Sequence, residues 1–93
     1  MKAFESEIFE LARSLAQIVD QSHAALKPLV DDACRHPETL SQSELERLFD
    51  YVLDISSYPK GKRLFNRLCR RFKTIYPESV QDYIRIQHEQ DEE

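Results

Sequence analysis

Three proline-marked breaks divide this 93-residue chain into segments, and each segment carries apolar residues at helical spacing. The breaks lie at Pro37, Pro59 and Pro77, because a residue that precedes proline avoids the helical region. Between the breaks, apolar residues recur every three or four positions, which is the period of one helix face. Gly61 is the only glycine, so tight β-hairpin turns have few positions. The pattern predicts an all-α fold, a small four-helix bundle-like single domain.

The first two predicted helices have clear end signals. The first starts near the N-terminus, and Pro28 is expected to kink or end it before a helical continuation to about Arg35. The second begins at Ser41, which together with Glu44 forms a capping box. It is expected to end near Ser56 or Ser57, just before the second proline break.

The last two predicted helices flank the third break. A turn or a first helical turn is expected at residues 59–61, followed by a third helix from about Lys62 to Thr74. The fourth helix begins at Pro77, a residue that suits the first helical position. The last residues of the chain are polar and acidic, so they are expected to fray. We therefore predict one helical domain over residues 1–88 and a frayed acidic tail over residues 89–93.

The apolar stripes predict the buried core. Short helices are not stable alone in water, so their stripes must bury one another. Ile18 and Ile75 extend two of these stripes. The predicted core consists of Phe4, Ile8, Leu11, Leu15, Leu48, Val52, Leu64, Leu68, Phe72 and Ile84.

Charge is strongly segregated along the chain, although the net charge is only −4. Residues 60–73 carry seven bases and no acid, whereas both flanks are acidic. Two interpretations remain open. The basic helix forms a face for nucleic acid or an anionic partner, or it pairs internally with an acidic stripe of the second helix. The candidate partner-binding residues are Glu46, Asp50 and Asp54 of that stripe and Lys60, Arg63, Arg67 and Arg70 of the basic helix.

Catalytic and metal-binding patterns are missing from the sequence. It has no glycine-rich phosphate loop and no nucleophile motif, and its three histidines lack metal-ligand spacing. We therefore expect no enzyme activity, no metal and no cofactor. Cys34 and Cys69 are expected to be free thiols of a cytoplasmic protein. No apolar run approaches the roughly 18 residues of a membrane span, and the acidic N-terminus does not resemble a signal peptide, so we expect no membrane association.

Four tyrosines lie in or beside the second and fourth helices: Tyr51, Tyr58, Tyr76 and Tyr83. Tyrosine at a helix junction often packs with its hydroxyl in water. It is also favoured at the centres of protein interfaces. The sequence leaves both roles open, with packing preferred.

Residues 41–85 carry a pattern that resembles a known family. A capping Ser41 opens the second helix, Tyr58-Pro59-Lys60-Gly61 forms a Pro-x-Gly turn, and Pro77-Glu78 starts the last helix. Apolar positions between these signals are Leu48, Phe49, Val52, Ile55, Leu64, Val80 and Ile84. In these features the chain resembles the immunity proteins of DNase-type bacteriocins, the colicin immunity family. The resemblance implies a four-helix fold that binds and inhibits a nuclease.

The residues after the glycine depart from that family's pattern. Where the family carries a Ser-Asp pair and two interface tyrosines, this chain has Lys62, Arg63, Asn66 and Arg67. None of the family's interface residues therefore transfers to this sequence. What remains comparable is an acidic surface on the second helix.

Two functional hypotheses follow from the sequence. The first is a non-catalytic protein-binding module, an inhibitor, immunity or antitoxin-type protein whose partner is a toxin or nuclease domain. The second is a nucleic-acid-associated regulator that uses the basic helix, residues 60–73. The negative net charge of the chain disfavours non-specific binding to nucleic acid, so the protein partner is preferred.

Overall fold

Four helices build the protein, as a computed structural model describes it for the backbone of residues 2–92 and the side chains of residues 17–91. No strand occurs within residues 2–92. The predicted all-α, four-helix fold is therefore confirmed. The helices are α1 (Lys2–Arg35), α2 (Gln42–Leu53), α3 (Pro59–Phe72) and α4 (Pro77–Glu92), and a 3₁₀ turn, Pro37–Thr39, connects α1 to α2.

The helices alternate in direction. Lys60 of α3 pairs with Asp20 of α1, and Arg67 pairs with Asp31, so α1 and α3 run the same way. The α2 and α4 helices run opposite to them. The α2–α3 pair forms the centre of the bundle, with α1 packed against both helices and α4 packed against both. Short connections between sequential helices favour this up-down order.

Pro28 lies inside α1, which is one continuous helix. Of the two predicted effects of this proline, an end of the helix does not occur, and the helix continues to Arg35 as predicted. Pro28 and Ala24 are both exposed. Pro28 has no amide hydrogen to donate to the Ala24 carbonyl, and water can therefore hydrate that carbonyl on the exposed side of the helix.

The start of α2 follows the predicted cap. The Ser41 hydroxyl accepts a hydrogen bond from the Glu44 backbone amide at 3.2 Å. Leu40 is half-buried against the core, and Leu45 is fully buried. The helix ends at Leu53, earlier than expected, and the buried Ser56 hydroxyl donates to the Leu53 carbonyl at 2.9 Å. This side-chain bond closes the end of α2 in place of another helical turn.

The start of α3 follows one of the two predicted alternatives, because residues 59–61 form its first helical turn. Pro59 is its first residue, and the Lys62 amide donates to the Tyr58 carbonyl at 2.8 Å. The turn is tight because Gly61 packs directly against the backbone of Ile55. Gly61 does not have a positive φ. Glycine at this position therefore allows the close approach of the Ile55 backbone and does not serve an unusual backbone angle.

The core lies where the inner sides of α1 and α4 pack against the α2–α3 pair. All the predicted core residues of α2 and α3 are buried: Leu48, Val52, Leu64, Leu68 and Phe72. Phe49 joins three helices, because its ring stacks on Tyr83 with centroids 4.8 Å apart and meets the edge of Phe65 at 5.5 Å. The burial of Phe65 was not predicted.

Three predicted apolar positions lie at the surface. Ile84 and Ile75 are each 40% exposed, and Ile18 is 55% exposed. In α4, Val80 is buried and Tyr83 contacts α2, which leaves Ile84 at the edge. The side chains of Phe4, Ile8, Leu11 and Leu15, also predicted for the core, lie outside the described residues.

The end of α4 differs from the expected frayed tail. The helix continues through Glu92, beyond the predicted domain limit at residue 88. Asp91 accepts hydrogen bonds from Lys62 of α3 and from Gln87, at 3.0 and 2.8 Å. These contacts connect the last turn to α3, which an acidic sequence alone does not reveal.

Candidate functional site

The acidic stripe of α2 faces α4. The Ser79 hydroxyl donates to Glu46 at 3.0 Å and accepts from Gln42 at 3.0 Å. The Tyr83 hydroxyl lies 2.5 Å from an Asp50 carboxylate oxygen and 3.0 Å from the Glu46 carbonyl. Glu46 and Asp50 therefore help to fix α4 on α2. Neither lies against the basic helix.

Asp54, the third residue of the predicted acidic stripe, is separate from this network. It follows the last residue of α2 and is exposed. No cation of the described side chains lies within 4.0 Å of its carboxylate. The three predicted acidic residues therefore do not act as one surface.

The basic helix pairs with α1 and α4. One of the two open interpretations paired it with the acidic stripe of α2, but its ion pairs are made with other helices. The ion pairs are Lys60–Asp20 at 3.0 Å, Lys62–Asp91 at 3.0 Å and Arg67–Asp31 at 2.6 Å. The reason is the packing order, because α3 lies beside α1 along most of its length.

Two arginines of the predicted basic face have no such pair. Arg63 and Arg70 are exposed, and no carboxylate of the described side chains lies within 4.0 Å of either. Arg71, which was not among the candidate residues, donates from Nε to the Cys34 carbonyl at 2.8 Å. The basic residues of α3 are therefore divided between those that pair with a carboxylate and those that do not.

A concave pocket lies between the last turns of α1 and α3. It has a volume of about 510 Å³ and is wide open to solvent. It is lined by Cys34, Arg67, Arg70 and Arg71. We call it the arginine pocket. Arg63, one turn before Arg67 on α3, does not line it.

A second concavity lies between α1 and α2, and we call it the apolar groove. Its volume is about 280 Å³, and its apolar lining consists of Leu29, Ala33, Leu40, Leu48 and Tyr51. Its polar lining consists of Asp32, Thr39, Glu44 and Arg47. Among the described side chains of α1 and α2, Leu29 and Tyr51, at 55% and 56% exposed, are the most exposed large apolar residues, together with Ile18 at 55%.

The apolar groove was not predicted from the sequence. The sequence analysis prefers packing to an interface role for Tyr51 and predicts no exposed groove beside it. The only signal was that Tyr51 lies off the apolar face of its own helix. Two helices must be placed side by side before Leu29 and Tyr51 become walls of one groove.

Three groups of the described residues have raised pKa values. Burial raises the pKa of the Cys69 thiol to about 11. Burial also raises the pKa of the Cys34 thiol, against the opposing effect of Arg67 and Arg71. The pKa of Tyr83 is raised, first by burial and then by its hydrogen bond to Asp50. Both cysteines are free, and each is a neutral thiol near pH 7.

Metal ligands do not cluster in the described part of the chain: no group of three His, Cys, Asp or Glu side chains there could hold an ion. Among the described residues, no helix combines the length and the apolar character needed to cross a membrane.

No protein-family model, no curated protein and no solved structure matches this chain.

Proposed function

We propose that this chain is a non-catalytic protein-binding module that inhibits or neutralises a partner protein, in the manner of an immunity protein or an antitoxin. The observation that carries the proposal is the apolar groove, with Leu29 and Tyr51 exposed on its two walls. Its volume lies at the lower limit of the roughly 300–1,000 Å³ typical of small-molecule pockets. It suits one or two side chains of a docking protein.

Covering the groove would bury apolar surface that is now in water. Leu29 and Tyr51 each keep more than half of their surface exposed. Burial of that surface contributes about 1–2 kcal/mol for each side chain. Ala33 and Leu48 form a buried floor, and the helix backbones hold this floor in place. Such a preformed pocket with an aromatic wall is typical of the centre of a protein interface.

The charge around the groove favours a basic partner. Asp32 and Glu44 lie on its rim with one cation, Arg47. The chain as a whole carries a net charge of −4. Complementary potential speeds the encounter of two proteins and orients them. A basic partner is also what the resemblance to the bacteriocin immunity family implies, because nuclease domains bind polyanions.

The alternative of a nucleic-acid regulator has less support from the basic helix. Lys60, Lys62 and Arg67 each lie within 3.0 Å of a carboxylate oxygen. Their charges are partly balanced, so fewer cations of α3 can replace the counterions of a nucleic-acid backbone. We therefore place the protein partner first.

The experiment compares two tyrosine substitutions. Tyr51→Glu places a charge inside the apolar groove, whereas Tyr58→Glu places the same charge on an exposed tyrosine outside it. Photo-crosslinkers placed at position 51 in the source cells identify the partner. Its affinity for the purified wild type and both variants is then measured by calorimetry. Inhibition of the partner's activity is measured with equimolar protein.

The expected result is loss of binding and inhibition with Tyr51→Glu and retention of both with Tyr58→Glu. Equal binding of both variants would show that the groove is not the docking site. A partner that is bound but whose activity is unchanged would refute the inhibitory role. A complex that nuclease treatment removes would support the nucleic-acid alternative.

A further inference from the structure

Two arginines of the arginine pocket are held in place by bonds to α1. Arg67 donates from Nη1 to Asp31 at 2.6 Å, and Arg71 donates from Nε to the Cys34 carbonyl at 2.8 Å. A guanidinium group carries five N–H donors in a fixed plane. Each of these arginines therefore keeps most of its donors for another acceptor. Both groups are also oriented before any ligand arrives, which reduces the entropy lost on binding.

The pocket carries a surplus of positive charge. Arg67, Arg70 and Arg71 line it, and the carboxylate that touches one of them is Asp31. Asp31 is shared with Lys27, whose Nζ lies 3.0 Å away, so Lys27 balances that negative charge. Burial raises the pKa of the Cys34 thiol, so the thiol is neutral and adds no negative charge. About three positive charges therefore remain unbalanced around the concavity.

Stabilisation of the end of α3 does not neutralise these positive charges. Cations at a helix C-terminus stabilise the helix by their interaction with its carbonyl ends, and Arg70 and Arg71 lie in the last turn of α3. The last carbonyls of α3 already accept from backbone amides, Cys69 from Lys73 at 3.0 Å and Phe72 from Tyr76 at 2.9 Å. Arg70 therefore remains directed to solvent beside two fixed arginines.

We propose that the arginine pocket binds a phosphate group with two negative charges, either free or as a monoester. The planar fork of arginine matches the oxygens of phosphate in pairs. The three arginines that line the pocket match the two charges of a phosphate monoester or free phosphate better than the single charge of a carboxylate or a phosphodiester. The site lies on the α3 side of α1, whereas the apolar groove lies on the α2 side. This inference therefore does not depend on the proposed function.

The test uses the whole chain and matched arginine variants. Nitrogen-15 spectra follow the Nε–Hε signals of the arginines during titration with inorganic phosphate, with phosphoserine in a short neutral peptide, and with a short DNA duplex. Sodium chloride and sodium acetate at equal ionic strength measure the general effect of salt. Arg70→Gln removes a charge from the pocket. Arg63→Gln removes the same charge from the same helix outside the pocket.

The expected result is saturable binding of inorganic phosphate that shifts the signals of Arg67, Arg70 and Arg71 together. Arg70→Gln should weaken this binding about tenfold, the effect of losing one charge-assisted contact. Arg63→Gln should change it less than about twofold, because salt screens exposed charges. Binding of the phosphoserine peptide at least as tight as that of phosphate assigns the source to a monoester. Binding of inorganic phosphate alone assigns it to the free ion.

Three outcomes would overturn the proposal. The first is shifts that rise with acetate or chloride as they do with phosphate. The second is equal weakening by Arg63→Gln and Arg70→Gln, which would mean diffuse attraction along α3. The third is DNA binding tighter than phosphate binding and sensitive to both variants, which would assign the same residues to a polyanion surface. Thermal melting of both variants checks that neither substitution unfolds the bundle.

Discussion

Replacing Gly61 with alanine tests the packing that sets the angle between α2 and α3. Gly61 is buried in the first turn of α3. An added Cβ atom would lie 1.8 Å from the Ile55 carbonyl oxygen and 2.4 Å from its carbon, both of them backbone atoms. Ordinary contact begins at 3.4 Å, so the two segments must separate by about 1.6 Å. The same oxygen accepts from the Tyr58 amide at 3.1 Å, and such a movement would break that bond.

The expected cost combines three effects. Overpacking of a tight site costs about 1–3 kcal/mol, and loss of a backbone hydrogen bond costs about 1 kcal/mol. Alanine is favoured over glycine inside a helix by about 1 kcal/mol, which offsets part of the loss. We expect Gly61→Ala to lower the free energy of unfolding by about 2 kcal/mol, a fall of roughly 8–16 °C in Tm for a domain of this size.

The assay is urea unfolding followed by circular dichroism. Asn66→Ala is the matched control, because Asn66 lies on the exposed side of the same helix. It should change the free energy of unfolding by less than about 0.5 kcal/mol. If Gly61→Ala is as stable as the wild type or more stable, the close contact between Gly61 and Ile55 does not exist, and the placement of α3 on α2 is wrong.

Three further substitutions test the core and the polar contacts between helices. Leu68→Ala empties a fully buried position and should cost about 2–5 kcal/mol in urea unfolding; a cost below about 0.5 kcal/mol would contradict the burial. Tyr83→Phe removes the bond to Asp50 and should cost about 1–2 kcal/mol at neutral pH. Because the pKa of Tyr83 is raised above its ordinary value of 10.0 in the folded state, this contribution is complete below pH 10 and should be lost as the pH rises further; a difference between wild type and variant that stays constant through alkaline pH would refute it. Asp31→Asn removes the partner of Arg67, whose hydrogen bond is the largest cause of the lowered pKa of Asp31. The variant should be less stable than the wild type at neutral pH, and the difference should disappear as the pH falls below 3.8; thermal melts across this range would refute the pairing if the two curves never converge.

The local sequence predicted only some of the residues that form the candidate site. Arg67 and Arg70 were expected on one face of α3, and both line the arginine pocket, because spacings of three and four residues share a helix face. Arg71 was missed, since its role depends on the Cys34 carbonyl at the end of α1. Glu46 and Asp50 were expected to face a cation, but α4 supplies their partners, Ser79 and Tyr83.

The sequence by itself determined that the chain forms four helices and where α2 and α4 begin. Ser41 caps α2 as predicted, and Pro77 opens α4. Leu48 and Val52, the predicted core residues of α2, are buried. Caps, prolines and periodic apolar residues act through neighbours within about one helical turn, so a single segment contains the information.

The tertiary structure alone decided which faces meet. It placed α3 beside α1, so that Lys60 and Arg67 pair with Asp20 and Asp31. It also brought Leu29 and Tyr51 together across the apolar groove. A helix stripe specifies that a face is buried but not which helix covers it, because apolar burial has no direction. Pairing of charges follows only after packing of the core has fixed the order of the helices.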